Sequence, residues 1–398
     1  MPKTVWLLVI GMAVNITGSS FLWPLNSIYI HDHLGKSLSV AGLVLMLNSF
    51  ASVIGSLAGG YLYDKIGGYR STLLGTFITV AALTGLAIWH GWPQYVIFLA
   101  IVGLGSGIIG PAMFAMAASV WKNGGRKAFN AIYVAQNIGV AVGSALGGAI
   151  ASYSFDLIFL ANLLMFLVFM FIAIFGYKNI SEKHTPHANK MQAPISIQNR
   201  SHIMALIILC AAYLLCWIAY VQWQATISAY TQTLHISLNQ YSLLWTLNGA
   251  MIVLGQPVLI PVTKKLLSRV KTQIIAGIII FIISFSVASF AEHFQGFVAA
   301  MVILTVGEML MWPAVPAVAS DLAPKGREGF YQGIVNSVAT AGRMIGPVIG
   351  GMLVDAYGMK VLFAFLIVLF IIALVLAAFY NRPLKKQKKL DQTASAGN

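Results

Sequence analysis

Twelve long apolar runs dominate this chain of 398 residues, and each approaches or exceeds the roughly 20 residues that a helix needs to cross a bilayer. They fall at about 5–30, 38–63, 71–90, 93–121, 128–153, 156–177, 203–231, 240–262, 272–291, 294–321, 329–355 and 359–381. Hydrocarbon offers no water to backbone N–H and C=O groups, so a crossing segment must be a helix or part of a closed barrel. A barrel would show short alternating segments rather than continuous runs. The expectation is therefore an all-α membrane protein with twelve transmembrane helices. Pro24, Pro111, Pro257, Pro313, Pro316 and Pro347 lie inside the runs, where membrane helices tolerate them better than soluble ones. Only 9% of residues are charged, against about 25% in a soluble domain. The first run is too long, and lacks the small-residue cleavage site, to read as a signal peptide.

A net charge of +14 invites a nucleic-acid partner, but its distribution argues against one. Of the 24 Lys and Arg, all except Lys36, Lys360 and Arg343 fall in segments on one side of the expected spans. That asymmetry is the positive-inside pattern, which places both termini in the cytoplasm of a multi-pass cell-membrane protein. The terminal "KKQKK" reads as a topology anchor against anionic lipid. Cys210 and Cys216 are six residues apart on one expected helix, about 9 Å along its axis, too far to bridge. The eight His fall in loops or at span ends, with no H-E-x-x-H and no Gly-rich phosphate loop followed by Lys. No metal, no cofactor and no enzyme chemistry is expected. The expected partners are a small-molecule substrate, protons and the bilayer, with a monomer as the default.

The longest polar stretch, residues 178–202, lies at the midpoint and separates six spans from six. The expected organisation is a bundle at 1–177, a cytoplasmic linker at 178–202, a second bundle at 203–381 and a basic tail at 382–398. The halves repeat locally. "GPAMFAMAASVWKNGGRKAFNAIY" (110–133) parallels "WPAVPAVASDLAPKGREGFYQGIV" (312–335), and "GVAVGSALGGAI" (139–150) parallels "GRMIGPVIGGML" (342–353). Repeated halves are common in secondary transporters, whose sites lie near the midplane where the repeats meet.

The turn after the second span, "GGYLYDKIGGYR" (59–70), carries Gly60, Asp64, Gly67 and Arg70. This spacing resembles the signature loop of the major facilitator superfamily, although Gly68 and Tyr69 stand where that pattern has basic residues. The resemblance implies that Asp64 latches onto the start of span 11 near Gly329, where the helix dipole favours an anion. Span 5 (Gly139, Gly143, Gly147, Gly148) and span 11 (Gly342, Gly346, Pro347, Gly350, Gly351) carry small-residue stripes that permit close helix contact. Span 5 resembles the antiporter motif of the drug-exporting branches, with Ser144 in place of the usual Pro. Span 4 lacks the Arg that many drug:proton antiporters place there.

Among the ten acidic residues, Glu308 alone falls in the core of a span. A carboxylate at a helix centre costs about 2.5–3.5 kcal/mol on insertion scales, and desolvation raises its affinity for a proton. The surrounding "GEMLMWPAV" (307–315) resembles span 10 of the lactococcal type of multidrug:proton antiporter, as does "YVAQN" (133–137) in span 5, although Ile132 replaces that relative's membrane acid. Arg343, the sole core cation, has a similar depth on the next span. Three arrangements fit the sequence: a structural ion pair, a pair opened by proton or substrate, or an Arg343 that faces the cavity alone and attracts an anion.

Further cavity candidates are Asn15, Asn48, Gln136, Asn137, Trp217, Trp223, Gln224, Asn248 and Trp312. Interhelical hydrogen bonding or a place in the interfacial aromatic belt would account for several of them equally well. The sequence reading is a transporter that couples protons to export of lipophilic or cationic drug-like compounds by alternating access. Import of a small nutrient or organic anion with protons, and a sensor or lipid-handling protein on the same fold, are the alternatives.

Overall fold

The computed structural model describes residues 2–120, 126–181, 200–267, 269–323 and 328–384. Every regular element among them is helical. The long helices are α1 (Lys3–Leu22), α2 (Leu38–Ile66), α3 (Gly68–Ile88), α4 (Gln94–Val120), α5 (Arg126–Tyr153), α6 (Phe155–Gly176), α7 (Arg200–Tyr220), α8 (Leu238–Leu266), α9 (Val270–Ser289), α10 (Phe294–Leu322) and α11 (Glu328–Phe379). Ten stretches among the described residues are long and apolar enough to cross a membrane. The last of them contains Gly358 at φ 80 and ψ 174, a left-handed conformation suited to glycine that splits α11 into the two final spans. The 29-residue α8 stands at the expected eighth span, so the helices follow the twelve-span pattern.

Two runs expected to be continuous are broken. α1 stops at Leu22 and is followed by Asn26–Ile28 and a π-turn at Tyr29–His33. Pro24 interrupts the ladder because it has no N–H to donate, although Trp23 before it keeps helical geometry at φ −60 and ψ −34. The seventh run breaks at the corresponding place into α7, Gln222–Ala225 and Ile227–Thr233, without a proline. There Gln222 Nε2 donates to the carbonyls of Ile218 (3.0 Å) and Gly346 (2.7 Å), tying the break to α11. Of the expected linker, Lys178–Ser181 forms a short helix and α7 begins at Arg200; the remainder, and the tail beyond Leu384, lie outside the described residues.

The chain forms two compact units. One comprises Met1–Lys190, Trp223–Val253 and Pro347–Asp355; the other comprises Met191–Gln222, Leu254–Gly346 and Ala356–Asn398. Inside the first, bare glycines let backbones approach. A Cβ at Gly55 would meet the Leu104 carbonyl, one at Gly107 the Ser52 carbonyl and one at Gly75 the Gly105 carbonyl, so α2 and α3 both seat on α4. Inside the second, α9 packs on α10, and Ser284 donates to the Ala300 carbonyl at 2.7 Å.

Candidate functional site

The site in the second unit grows from a close helix seam. A Cβ at Gly277 on α9 would meet Met311 Cβ at 2.9 Å, and one at Gly307 on α10 would meet Phe281 at 2.8 Å. This seam fixes the rotation of α10 and leaves Glu308 buried, only 4% exposed, near the helix centre. Trp312 stands one turn further along the same helical face, about 6 Å along the axis.

Four rings contact Trp312. The Trp217 indole stacks on it at 4.4 Å and 8°. Tyr213 (5.5 Å, 79°) and Tyr220 (5.4 Å, 86°) meet it edge-on, and Phe281 is tilted against it at 5.4 Å. Edge-to-face and stacked pairs contribute about 0.5–1.5 kcal/mol each beyond area burial, so the cluster is a rigid wall. Tyr213, Tyr220 and Phe281 are buried, whereas Trp217 and Trp312 remain partly exposed.

α11 reaches this wall through its glycines. A Cβ at Gly342 would run into Trp217 Cβ, and one at Gly346 would lie 2.9 Å from the Ile218 carbonyl. Their bareness lets α11 lie against α7 and brings the next residue, Arg343, onto the Trp217 ring at 5.0 Å from its centroid. Arg343 also donates to Thr340 Oγ1 at 3.2 Å, and it is solvent-exposed despite its depth along the helix. An exposed guanidinium on an aromatic face is a fixed positive charge beside this wall. A second cation about 5 Å from it would be repelled by roughly 3 kcal/mol at an effective dielectric near 20. An anion would be attracted to the same degree.

The other expected cavity residues lie in the first unit. Asn15 is 7% exposed, with its Nδ2 buried and unpartnered among the described residues, and Asn48 Oδ1 is in the same condition. Asn137 Nδ2 donates to the Tyr133 carbonyl of its own helix (2.8 Å), and Gln136 beside it is partly buried. Asn248 is buried on α8, Gln224 is partly buried, and Trp223 is fully buried, with Tyr241 Oη donating to its carbonyl at 2.7 Å. That burial removes Trp223 from any interfacial belt. Trp245 is buried likewise, edge-on to Trp23 at 4.9 Å and donating through Nε1 to Tyr241 Oη.

Gly139, Gly143 and Gly147 line up on α5 where α1 crosses it; Cβ atoms there would strike the Ala13 carbonyl, the Thr17 carbonyl and Phe21. Gly148 faces Ser242 of α8 instead, and Gly350 is buried. Pro347 and Gly351 meet α2, where Gly42 abuts the Pro347 carbonyl and Gly351 the Leu38 carbonyl. In the signature turn, Gly60 has open space around it, Gly67 ends α2 at φ 83, and Arg70 is exposed. The Asp64 side chain and those near Gly329 lie outside what is described.

Two features escaped sequence reasoning. Tyr213 and Tyr220 flank Trp217 at helical spacing, i, i+4 and i+7, which was a signal available in the sequence. Asp355 gave no such sign. Its carboxylate accepts from Leu38 N (3.2 Å) and Ser39 N (2.7 Å) at the start of α2, while Ser37 Oγ accepts from Val40 N (3.3 Å). The first amides of α2, orphaned by helix geometry, are thus capped by a residue more than 300 positions away.

The model for the Major Facilitator Superfamily matches residues 8–230 and 212–396 of the chain. An uncharacterized MFS-type transporter of Bacillus subtilis (strain 168), YttB, is 56% identical over 99% of both chains. The multidrug resistance protein MdtH of Aeromonas hydrophila is 21% identical over 88% of this chain and 87% of its own. A crystal structure of a POT family transporter in complex with 5-aminolevulinic acid superposes with a TM-score of 0.82 at 15% identity, over 96% of this chain and 97% of the other, a likeness of fold.

Proposed function

The chain belongs to the Major Facilitator Superfamily, and on that premise we propose that it is a proton-coupled exporter of lipophilic drug-like compounds, cationic ones included, working by alternating access. The observation that carries this reading is Glu308, a carboxylate buried at the centre of α10 one helical turn from an aromatic wall. A carboxylate that loads a proton on one side of the membrane and releases it on the other is a minimal coupling device, and ionisable groups within spans commonly mark ion pathways. The name of MdtH, a multidrug resistance protein, supports drug-like compounds as the substrate class. The lysine and arginine asymmetry supports cytoplasmic termini. Asp64 at the end of α2 is the proposed latch, with Gly67 closing its turn, and the stripes on α5 and α11 are the surfaces on which helices rock.

Inverted vesicles test this reading. Adding a lipophilic probe to energised wild-type vesicles is expected to release protons from the lumen, and Glu308→Gln to abolish the release while leaving the protein folded. A proton signal untouched by the substitution would remove Glu308 from coupling. The exposed Arg343 favours a second reading, proton-linked import of an organic anion. Proton movement with organic anions alone would select it.

A further inference from the structure

We infer that Asp355 is an outer latch, the counterpart of Asp64, and that the two carboxylates hold α2 and span 11 together at opposite ends in alternation. The inference rests on the alternating-access reading and adds to it the contact that closes the external side. Asp355 is marked by its turn and not by its helix. "GGMLVDAYG" (350–358) repeats the spacing of "GGYLYDKIG" (59–67): paired glycines, three residues, Asp, two residues and Gly. The backbones agree as well. Gly67 at the end of α2 stands at φ 83 and ψ 163, and Gly358 at the end of span 11 at φ 80 and ψ 174. Both are positive-φ turns suited to glycine.

The outer copy is engaged. Its carboxylate accepts from Leu38 N (3.2 Å) and Ser39 N (2.7 Å), two of the amides that helix geometry leaves orphaned at the start of α2. The helix dipole favours an anion at that place. Bare glycines set the reach, since a Cβ at Gly351 would strike the Leu38 carbonyl and one at Gly42 the Pro347 carbonyl. Residue 38 thus meets 351 and 355, whereas residue 42 meets 347, so α2 and span 11 run antiparallel. An antiparallel pair offers the same contact, the carboxyl end of one helix to the amino end of the other, at each of its two ends. Leu38 and Asp64 are about 39 Å apart along α2. Helices that rock about a point between such distant contacts tighten one as they release the other. Gly60 of the inner copy has nothing within 4 Å, in contrast to the seated Gly351. Asp355 is exposed, so its hold is modest and reversible, as a contact broken in every cycle requires.

The test places spin labels at Leu43 of α2 and Lys360 beyond the outer turn, both exposed, in the full chain with Cys210 and Cys216 replaced by alanine. Double electron–electron resonance in lipid nanodiscs then reads a shorter distance for the closed outer side and a longer one for the open side. Asp355→Ala is expected to raise the longer-to-shorter ratio about 5–30-fold, the loss of one helix-terminal anion. Asp355→Asn, which keeps the shape and one acceptor, is expected to shift it in the same direction by less. Asp64→Ala is expected to shift it the other way. A ratio within twofold of that of the unsubstituted protein in Asp355→Ala, or a shift toward the shorter distance, overturns the inference. Should the alanine variant not fold, Asp355→Asn decides by the direction of its shift, and no shift overturns the inference likewise. An unchanged ratio in Asp64→Ala overturns the alternation. The ratio is read without substrate or proton gradient. Protein that still releases protons in vesicles while no variant moves the ratio defeats this inference alone, and shifted ratios with no proton release defeat only the exporter reading.

Discussion

Asp355→Ala isolates the cap that joins α11 to the start of α2. The substitution removes two N–H···O contacts, 3.2 Å from Leu38 N and 2.7 Å from Ser39 N, and leaves the Ser37 Oγ contact with Val40 N in place. Charge-assisted hydrogen bonds in sheltered sites are worth about 1.5–3 kcal/mol, but Asp355 is exposed, and the smaller range for anions and caps at helix N-termini, about 0.3–2 kcal/mol, is the apt one. With two contacts made by one carboxylate, a loss of about 1–2 kcal/mol is expected, a factor of about 5–30 in the local closed-to-open ratio. Hydrogen exchange of the peptide spanning residues 36–42, in lipid nanodiscs, reads that ratio directly. Leu38 and Ser39 amides are expected to exchange about 5–30-fold faster in Asp355→Ala, with Asp355→Asn in between because its remaining carbonyl oxygen still accepts. Exchange within twofold of wild type would refute the reasoning, for it would mean that solvent caps these amides as well as the carboxylate does.

Removing the ring of Trp312 deletes the member that Trp217, Tyr213, Tyr220 and Phe281 all contact, so Trp312→Ala is expected to cost about 3–5 kcal/mol and Trp312→Phe distinctly less, read as thermal unfolding in detergent. Gly143→Leu drives a side chain into the Thr17 carbonyl across α1 and is expected to destabilise by at least about 1–3 kcal/mol, whereas Gly60→Ala, with nothing within 4 Å, is expected to be neutral or to stabilise by up to about 1 kcal/mol. Exchanging the charges, Glu308→Arg with Arg343→Glu, is expected not to restore proton release lost in either single variant, since the Arg343 guanidinium rests on Thr340 and Trp217; rescue by the double variant would establish a functional ion pair. Cys210 and Cys216 are buried thiols and are expected to resist a membrane-permeant maleimide until the protein unfolds, measured by mass shift.

The break at Pro24 was not legible in the sequence, because membrane helices also tolerate proline and that run was expected to be continuous. Helix type and number, and the place of Glu308 and Arg343 within apolar runs, were legible there. The physical reason is that a bilayer makes these local matters: each span must satisfy its own backbone, and a charge within a span stands out against apolar neighbours. The break after Tyr220 was not legible, because no proline causes it; Gln222 holds it by reaching the Gly346 carbonyl 124 residues away. The rotation of each helix was equally hidden. Lipid and protein interior are both apolar, so these helices lack the polar stripe that tells a soluble helix which face to bury. Only the tertiary structure decided that Gly277 and Gly307 seat α9 on α10, that Trp312 meets Trp217, that Gly342 lays Arg343 over that indole, and that Asp355 caps α2. Each depends on how far two backbones can approach, a quantity that no single segment contains.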